Sequence, residues 1–215
     1  MRLKEITLKY GAFIFDFDGV IVDSVAIKTE AFGELFQQWG PEAVGKIKEY
    51  HLANGGVSRY EKFKYYYRTF ARREITAEES AQLDHRYGEL VVNKVIQADL
   101  IPGVMPFLED IKRSGKRSFV VSATPQKEVR HIVQKREMDK FFEDVLGSPA
   151  SKKENVSRLL KEKGLTGREV VYFGDAKSDY EAALSCGVDF WGIIAAQYSE
   201  LSTVSGIERI KNFLN

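Results

Sequence analysis

Residues 13–24 read FIFDFDGVIVDS, and this stretch decides the fold. Phe13, Ile14 and Phe15 form an aromatic and β-branched run of the kind found in buried strands, and it leads directly into Asp16, Asp18 and Gly19. A strand sets alternate residues on one face, so Asp16 and Asp18 share a face for as long as the strand lasts. Gly19 lets the chain turn sharply after them. Two neighbouring carboxylates repel. The repulsion is relieved by Mg²⁺, which takes hard oxygen ligands and keeps positions open for water and phosphate, or by a proton retained on one acid. Either arrangement equips one aspartate as a nucleophile and the other as a general acid/base. The plainer reading is a solvated acidic turn after a strand. A calcium loop of the EF-hand kind fits poorly, because Ile21 and Ile27 stand where Gly and Glu are needed.

The rest of the chain separates into two textures. From Val25 to about Ala98 apolar residues recur at helical spacing with no convincing strand between them. Ser58 with Glu61 and Thr76 with Glu79 have capping-box spacing. After Asp99 helices alternate with the strands SFVVSAT, EDVLG and EVVYFGD, which predicts βαβ units and a parallel sheet with helices on both faces. The expected fold is therefore α/β: a Rossmann-like parallel-sheet core of residues 1–23 and 99–215, with an inserted all-helical cap of residues 24–98. Ligands of such sheets sit beyond the carboxyl ends of the strands. Asp16 and Asp18, Ser122, and Gly174 with Asp175 all fall at predicted strand ends. The EDVLG strand is followed by Ser151, Lys152, Lys153 and Glu154, a capping box with two lysines in the first helical turn. Cations there oppose the helix dipole, and an anion to bind would account for them.

The ordered set DFDGV, SAT, SKKENV and GDAKSD, with a helical insert after the first, resembles the haloacid dehalogenase-like hydrolase superfamily of aspartyl phosphotransferases. The likeness spans the whole chain and is greatest to the subgroup that includes phosphoglycolate phosphatase and β-phosphoglucomutase. The resemblance implies that Asp16 is the nucleophile and Asp18 the general acid/base. It implies Ser122 and Ala123 at the phosphate oxygens, and Lys152 in preference to Lys153 as the motif lysine. A Mg²⁺ site would be made by Asp16, the Asp18 carbonyl and Asp175. Asp179 is either the second acid of the last motif or a first-turn acid of a helix capped by Ser178 and Glu181. Asp18 argues against dehalogenation, since the superfamily's dehalogenases lack an acid there.

Within the insert, GVSR resembles the cap loop of β-phosphoglucomutases, which makes Arg59 the expected anchor for the substrate's non-transferred anionic group, the alternative being a helix-start arginine beside the Ser58 cap. Lys28 stands where those mutases carry a histidine, and this weakens the mutase reading. Tyr65, Tyr66, Tyr67 and Phe70 have the spacing of cap core, and Cys186 reads as packing.

Composition bounds the partners. The chain has 215 residues, with Lys+Arg 32 against Asp+Glu 31 and a net charge of +1, so no overall field draws in nucleic acid or an anionic membrane. One cysteine excludes an internal disulfide framework, and the N-terminus has no signal-peptide-like apolar run. The expectation is a cytoplasmic monomer or weak homodimer acting on a small phosphorylated metabolite, with Mg²⁺ and without nucleic acid or membrane. The alternatives are a phosphomutase and a catalytically inactive phosphate-sensing or scaffolding member.

Overall fold

In the computed structural model, which describes residues 3–194 and 200–214, the hydrophobic run becomes strand β1 (Ala12–Phe15) at the middle of a six-stranded parallel sheet. The other strands are β2 (Arg117–Pro125), β3 (Asp144–Ser148), β4 (Val170–Gly174), β5 (Asp189–Ile193) and β6 (Glu208–Ile210), in the order β3-β2-β1-β4-β5-β6. All residues of β1 are buried because both faces of the sheet are covered. Phe13 and Phe15 join Phe107, Phe173 and Phe213 on one face. Ala12 and Ile14 join Val156, Leu159 and Ala182 on the other. Phe15 stacks on Phe173 with centroids 5.3 Å apart, as a parallel register that pairs these two residues requires.

Helix α1 (Leu3–Lys9) precedes β1. Four longer helices lie between β1 and the rest of the core: α2 (Val25–Leu35), α3 (Pro41–Ala53), α4 (Arg59–Tyr66) and α5 (Ala77–Gln97). Thr76 and Glu79 close a complete capping box on α5, whereas at α4 only the Ser58 side chain accepts, from the Glu61 amide. The chain leaves the core and returns to it side by side. The Asp23 amide donates to the Asp99 carbonyl and the Ile101 amide to that of Ile21, each at 2.9 Å. The aromatic run serves packing: Tyr66 is buried, Tyr65 stacks on Tyr50, and Tyr67 and Phe70 lie against Trp39.

The core continues through α6 (Val104–Arg113), α7 (Gln126–Lys135), α8 (Lys152–Lys163) and α9 (Lys177–Ser185). Helix α9 begins at Lys177, so Ser178 lies inside it and the expected Ser178–Glu181 cap does not form. Asp179 instead occupies the third helical position, and its carboxylate accepts from the Ala176 amide at 3.2 Å. Strands β5 and β6 are short and add two parallel strands at one edge that hydrophobic patterning did not single out. Among the described residues no helix is long and apolar enough to cross a membrane.

Candidate active site

Strand order places the site. From central β1 the chain moves outward to β2 and β3, then returns to β4 on the other side, so a crevice opens past the carboxyl ends of β1 and β4. The Asp16 amide donates to the Phe173 carbonyl at 2.9 Å, which sets Asp16 beside the segment that carries Asp175. The strand ends at Phe15, so both acids lie in the turn that follows rather than on a strand face. Gly19 is required there twice over. Its φ is +76°, and a Cβ would stand 2.2 Å from an Asp175 carboxylate oxygen.

Asp16 is 4% exposed. Lys152 Nζ, at the first position of α8, lies 2.6 Å from Asp16 Oδ2 and 2.6 Å from Asp179 Oδ1. Between them these two carboxylates compensate a buried cation placed against its own helix dipole. Lys153 is exposed and has no part in this cluster. Asp179 is fully buried and also receives the Tyr172 hydroxyl at 2.6 Å, so it serves at once as a helix-start acid and as a site carboxylate. Asp16, Asp175 and Asp179 each present an oxygen within 4.8 Å of the others. The Asp18 carboxylate is held apart from that group. It accepts from Ser24 Oγ at 2.6 Å, Thr124 Oγ1 at 2.9 Å and the Lys28 ammonium.

Electrostatics follow from this arrangement. Burial pushes the Asp16 pKa up to about 7, against the pull of Lys152 and with the help of Asp179 and Asp18. Burial, followed by the charges of Asp16 and Asp179, holds Asp175 well above the usual carboxylate range. Burial also acts to raise Asp18, but Lys28 and the hydrogen bonds from Lys28, Ser24 and Thr124 outweigh it and leave Asp18 below its ordinary value. Four carboxylates thus face two ammonium groups, Lys152 and Lys28. The surplus of negative charge, with hard oxygen donors gathered around it, fits a divalent cation.

A pH dependence follows for the metal-free chain. An acid whose pKa is raised by folding stabilises the folded state below its unfolded value near 3.8, and that contribution is lost as pH rises through about 7. The melting temperature of the metal-free protein should therefore fall between pH 5 and pH 8, by several degrees if about 1–2 kcal/mol is lost, and Mg²⁺ should restore it at pH 8. A melting temperature flat across this range would show that Asp16 and Asp175 are not stressed by burial and by each other.

Ser122 is buried inside β2 and not at its end, since the strand runs on to Pro125 with a shift of register against β3 after Val121, and its Oγ accepts from the Thr124 amide at 3.1 Å. Ala123 and Thr124 line a cavity of about 380 Å³ together with Asp16, Asp18, Asp175 and, from the insertion, Lys28, His51, Arg59, Lys62 and Tyr87. The insertion approaches closely at Gly56, where a Cβ would fall 1.8 Å from Ser178 Oγ.

Arg59 lines the cavity but is not free to serve as the expected anchor. Its two terminal nitrogens donate to Glu128 of α7, one also donates to Asp84 at 3.1 Å, and the guanidinium lies over the Tyr87 ring. Arg59 therefore ties the insertion to the core. Removing one partner of a buried pair leaves the other uncompensated, so Arg59→Met should destabilise the protein toward the lower end of about 3–5 kcal/mol, since Glu128 keeps some solvent contact. Glu128→Gln added to Arg59→Met should recover part of the loss in denaturant melts. Additive losses would disprove the pairing.

Sequence reasoning passed over Ser24, Thr124 and Tyr172. Ser24 and Thr124 adjoin recognised motifs, but nothing local marks a hydroxyl as the partner of Asp18. Tyr172 reads as one more apolar strand residue.

A family model described as haloacid dehalogenase-like hydrolase matches residues 13–193. A phosphoglycolate phosphatase of Aliivibrio fischeri is 28% identical over 182 residues, covering 80% of this chain and 79% of its own. A phosphorylated carbohydrates phosphatase of Thermotoga maritima is 24% identical, with 85% of each chain covered. Among solved structures, a β-phosphoglucomutase of Clostridium difficile superposes with a TM-score of 0.77 at 18% identity, over 95% of this chain and 92% of that one, which is a likeness of fold. With the family model spanning both the strand-end acids and the helical insertion, the chain belongs to the haloacid dehalogenase-like hydrolases.

Proposed function

We propose that this hydrolase is a Mg²⁺-dependent phosphatase that cleaves a small phosphorylated metabolite through an aspartyl phosphate on Asp16, with residues 24–98 acting as a cap over the site. The observation that carries the reading is Lys152 bridging Asp16 and Asp179 beside Asp175. This cluster combines a nucleophile, a buried cation and a divalent-ion donor set at the mouth of the sheet. Asp16 and Asp175, with Asp179 close by, would hold Mg²⁺, which supplies charge neutralisation at the phosphoryl oxygens when bound.

An Asp16 oxygen attacks phosphorus, the bond to the leaving oxygen breaks, and the leaving alkoxide takes a proton from Asp18 or from the ammonium hydrogen-bonded to it. Water then attacks phosphorus, its proton passes to Asp18, and the aspartyl–phosphate bond breaks to release inorganic phosphate. Lys28 keeps Asp18 as a carboxylate, the form that the second displacement needs. Lys152, Ser122 and the amides around Ala123 supply donors to the equatorial oxygens, where charge spreads in the transition state.

The test is phosphate release over a panel of phosphate monoesters, beginning with 2-phosphoglycolate because relatives are named for it. Inorganic phosphate should equal substrate consumed, and chelation should suppress turnover at least 100-fold, with recovery on adding Mg²⁺. Isomerisation of a hexose 1-phosphate without free phosphate would make the chain a mutase. Full activity after chelation would remove the metal from the reaction.

A further inference from the structure

Tyr172 stands where the buried pattern of β4 asks for an apolar residue, and its hydroxyl has no part in the reaction described above. The residue is fully buried, pairs in register with Ile14 and joins Phe119, Val121 and Leu159 on the sheet face covered by α8 and α9. Phenylalanine would fill this space almost as well and would spare the burial of a hydroxyl. That hydroxyl lies 2.6 Å from Asp179 Oδ1 and 3.1 Å from the Val121 carbonyl oxygen. The register of β1 with β2 runs only to the pair Phe15 and Val120, so the hydroxyl reaches past the end of β1 to the residue before Ser122. One proton faces two acceptors, and the carboxylate is both the nearer and the charged one. Asp179 Oδ1 thus takes two donors at 2.6 Å, the Tyr172 hydroxyl and the Lys152 ammonium, while Oδ2 takes the Ala176 amide.

Lys152 is itself shared, with Nζ 2.6 Å from Asp16 and 2.6 Å from Asp179. Each hydrogen bond that Asp179 accepts from another donor lessens the charge it presents to the ammonium, and in a site of low dielectric that charge is strongly felt. Without the hydroxyl, Oδ1 would direct its charge at Lys152 alone and draw the ammonium away from Asp16, where the phosphoryl group is taken up. Building on the phosphatase reading, we propose that Tyr172 is a positioning residue: its hydroxyl shares Asp179 with Lys152 and loosens that ion pair, so that the ammonium follows the charge onto the equatorial oxygens in the transition state. Tyr172 touches no reacting atom and acts through Asp179.

Tyr172→Phe keeps the ring and removes only the hydroxyl. In the full chain with Mg²⁺ it should lower kcat about 10-fold or more and leave KM within about threefold, because the interaction it weakens is made in the transition state. Asp179→Asn supplies the control that packing would not move. An amide holds Lys152 weakly whether or not the hydroxyl is present, so adding Tyr172→Phe to Asp179→Asn should change kcat by no more than about twofold. The same loss in both backgrounds would show that the hydroxyl acts through packing and would overturn the proposal, as would a Tyr172→Phe protein with the parent's kcat.

Binding is measured separately by calorimetry with orthovanadate, which takes on a further oxygen ligand and copies the equatorial plane of the transition state, and with inorganic phosphate, which does not. Tyr172→Phe should weaken vanadate about 10-fold and phosphate less than threefold, and equal changes in the two would overturn the proposal. The parent chain gives a reading even if Tyr172→Phe does not fold: in protein labelled at the tyrosine ring Cζ, the Tyr172 resonance should move when vanadate draws Lys152 off Asp179, and a resonance that ignores vanadate would overturn the proposal. If the full chain hydrolyses no phosphate monoester but the vanadate contrast holds, the phosphatase reading fails and the positioning role stands. Phosphate release that Tyr172→Phe leaves untouched gives the reverse.

Discussion

Asp16→Asn is expected to lose turnover by on the order of 10⁵-fold or more, with the fold retained. The amide cannot attack phosphorus, and two of the neighbouring carboxylates are already committed: Asp18 is held by Lys28, Ser24 and Thr124, while Asp179 is fully buried against Lys152 and Tyr172. The substitution also removes a buried negative charge from a crowded set. The metal-free variant should therefore melt higher than the parent at pH 8, where Asp16 is forced to ionise, and close to the parent at pH 5. Loss of activity combined with a gain in metal-free stability is hard to produce by general damage. An active Asp16→Asn protein would end the covalent mechanism.

Asp18→Asn is the second large effect, at about 10²- to 10⁴-fold in steady-state turnover of an alkyl phosphate. A leaving group that needs no proton separates its two duties. With p-nitrophenyl phosphate the first displacement should survive, releasing about one equivalent of nitrophenolate per site in a burst. The phosphorylated enzyme should then accumulate because water is not activated. Rapid-quench measurement of the burst and of acid-stable or labile protein-bound phosphate checks both. A variant that turns over steadily, with no burst and no loss, would show that Asp18 is not the proton carrier. The Lys28 ammonium, deprived of its carboxylate, should also cost stability, so melting curves are needed alongside the kinetics.

Legibility differed by residue. The placement of Asp16, Asp18 and Gly19 was readable because it depends on a strand and a turn that are adjacent in the chain. Lys152 was separable from Lys153 by its place in the motif, and the side chains then diverge: the first residue of α8 faces the acids and the next faces solvent. Asp179 looked like a choice between a helix-start acid and a site acid. It is both, because α9 starts at Lys177 and turns that position toward Lys152 while its second oxygen still reaches the Ala176 amide. Arg59 was left between a substrate anchor and a helix-start arginine because a loop motif does not reveal Glu128, 69 residues later in the sequence. Strands β5 and β6 escaped notice because they are short and partly exposed, so hydrophobic patterning is weak along them.

By itself the sequence determined the α/β class, the helical insertion and the strand-end acids, since periodicity, capping pairs and turn residues act over a few positions and are written locally. Which charges neutralise which was decided only by tertiary structure. Lys152 meets Asp16 across 136 residues and Asp179 across 27, Lys28 meets Thr124 across 96, and Arg59 is taken up by the core. A buried ion is governed by the partners within a few ångströms, because desolvation makes an uncompensated charge costly and low dielectric makes a compensated one strong. Those partners are set by strand order and helix docking, so the division of the basic residues into partners of the strand-end acids and a tie between the insertion and the core emerges only when the chain is folded.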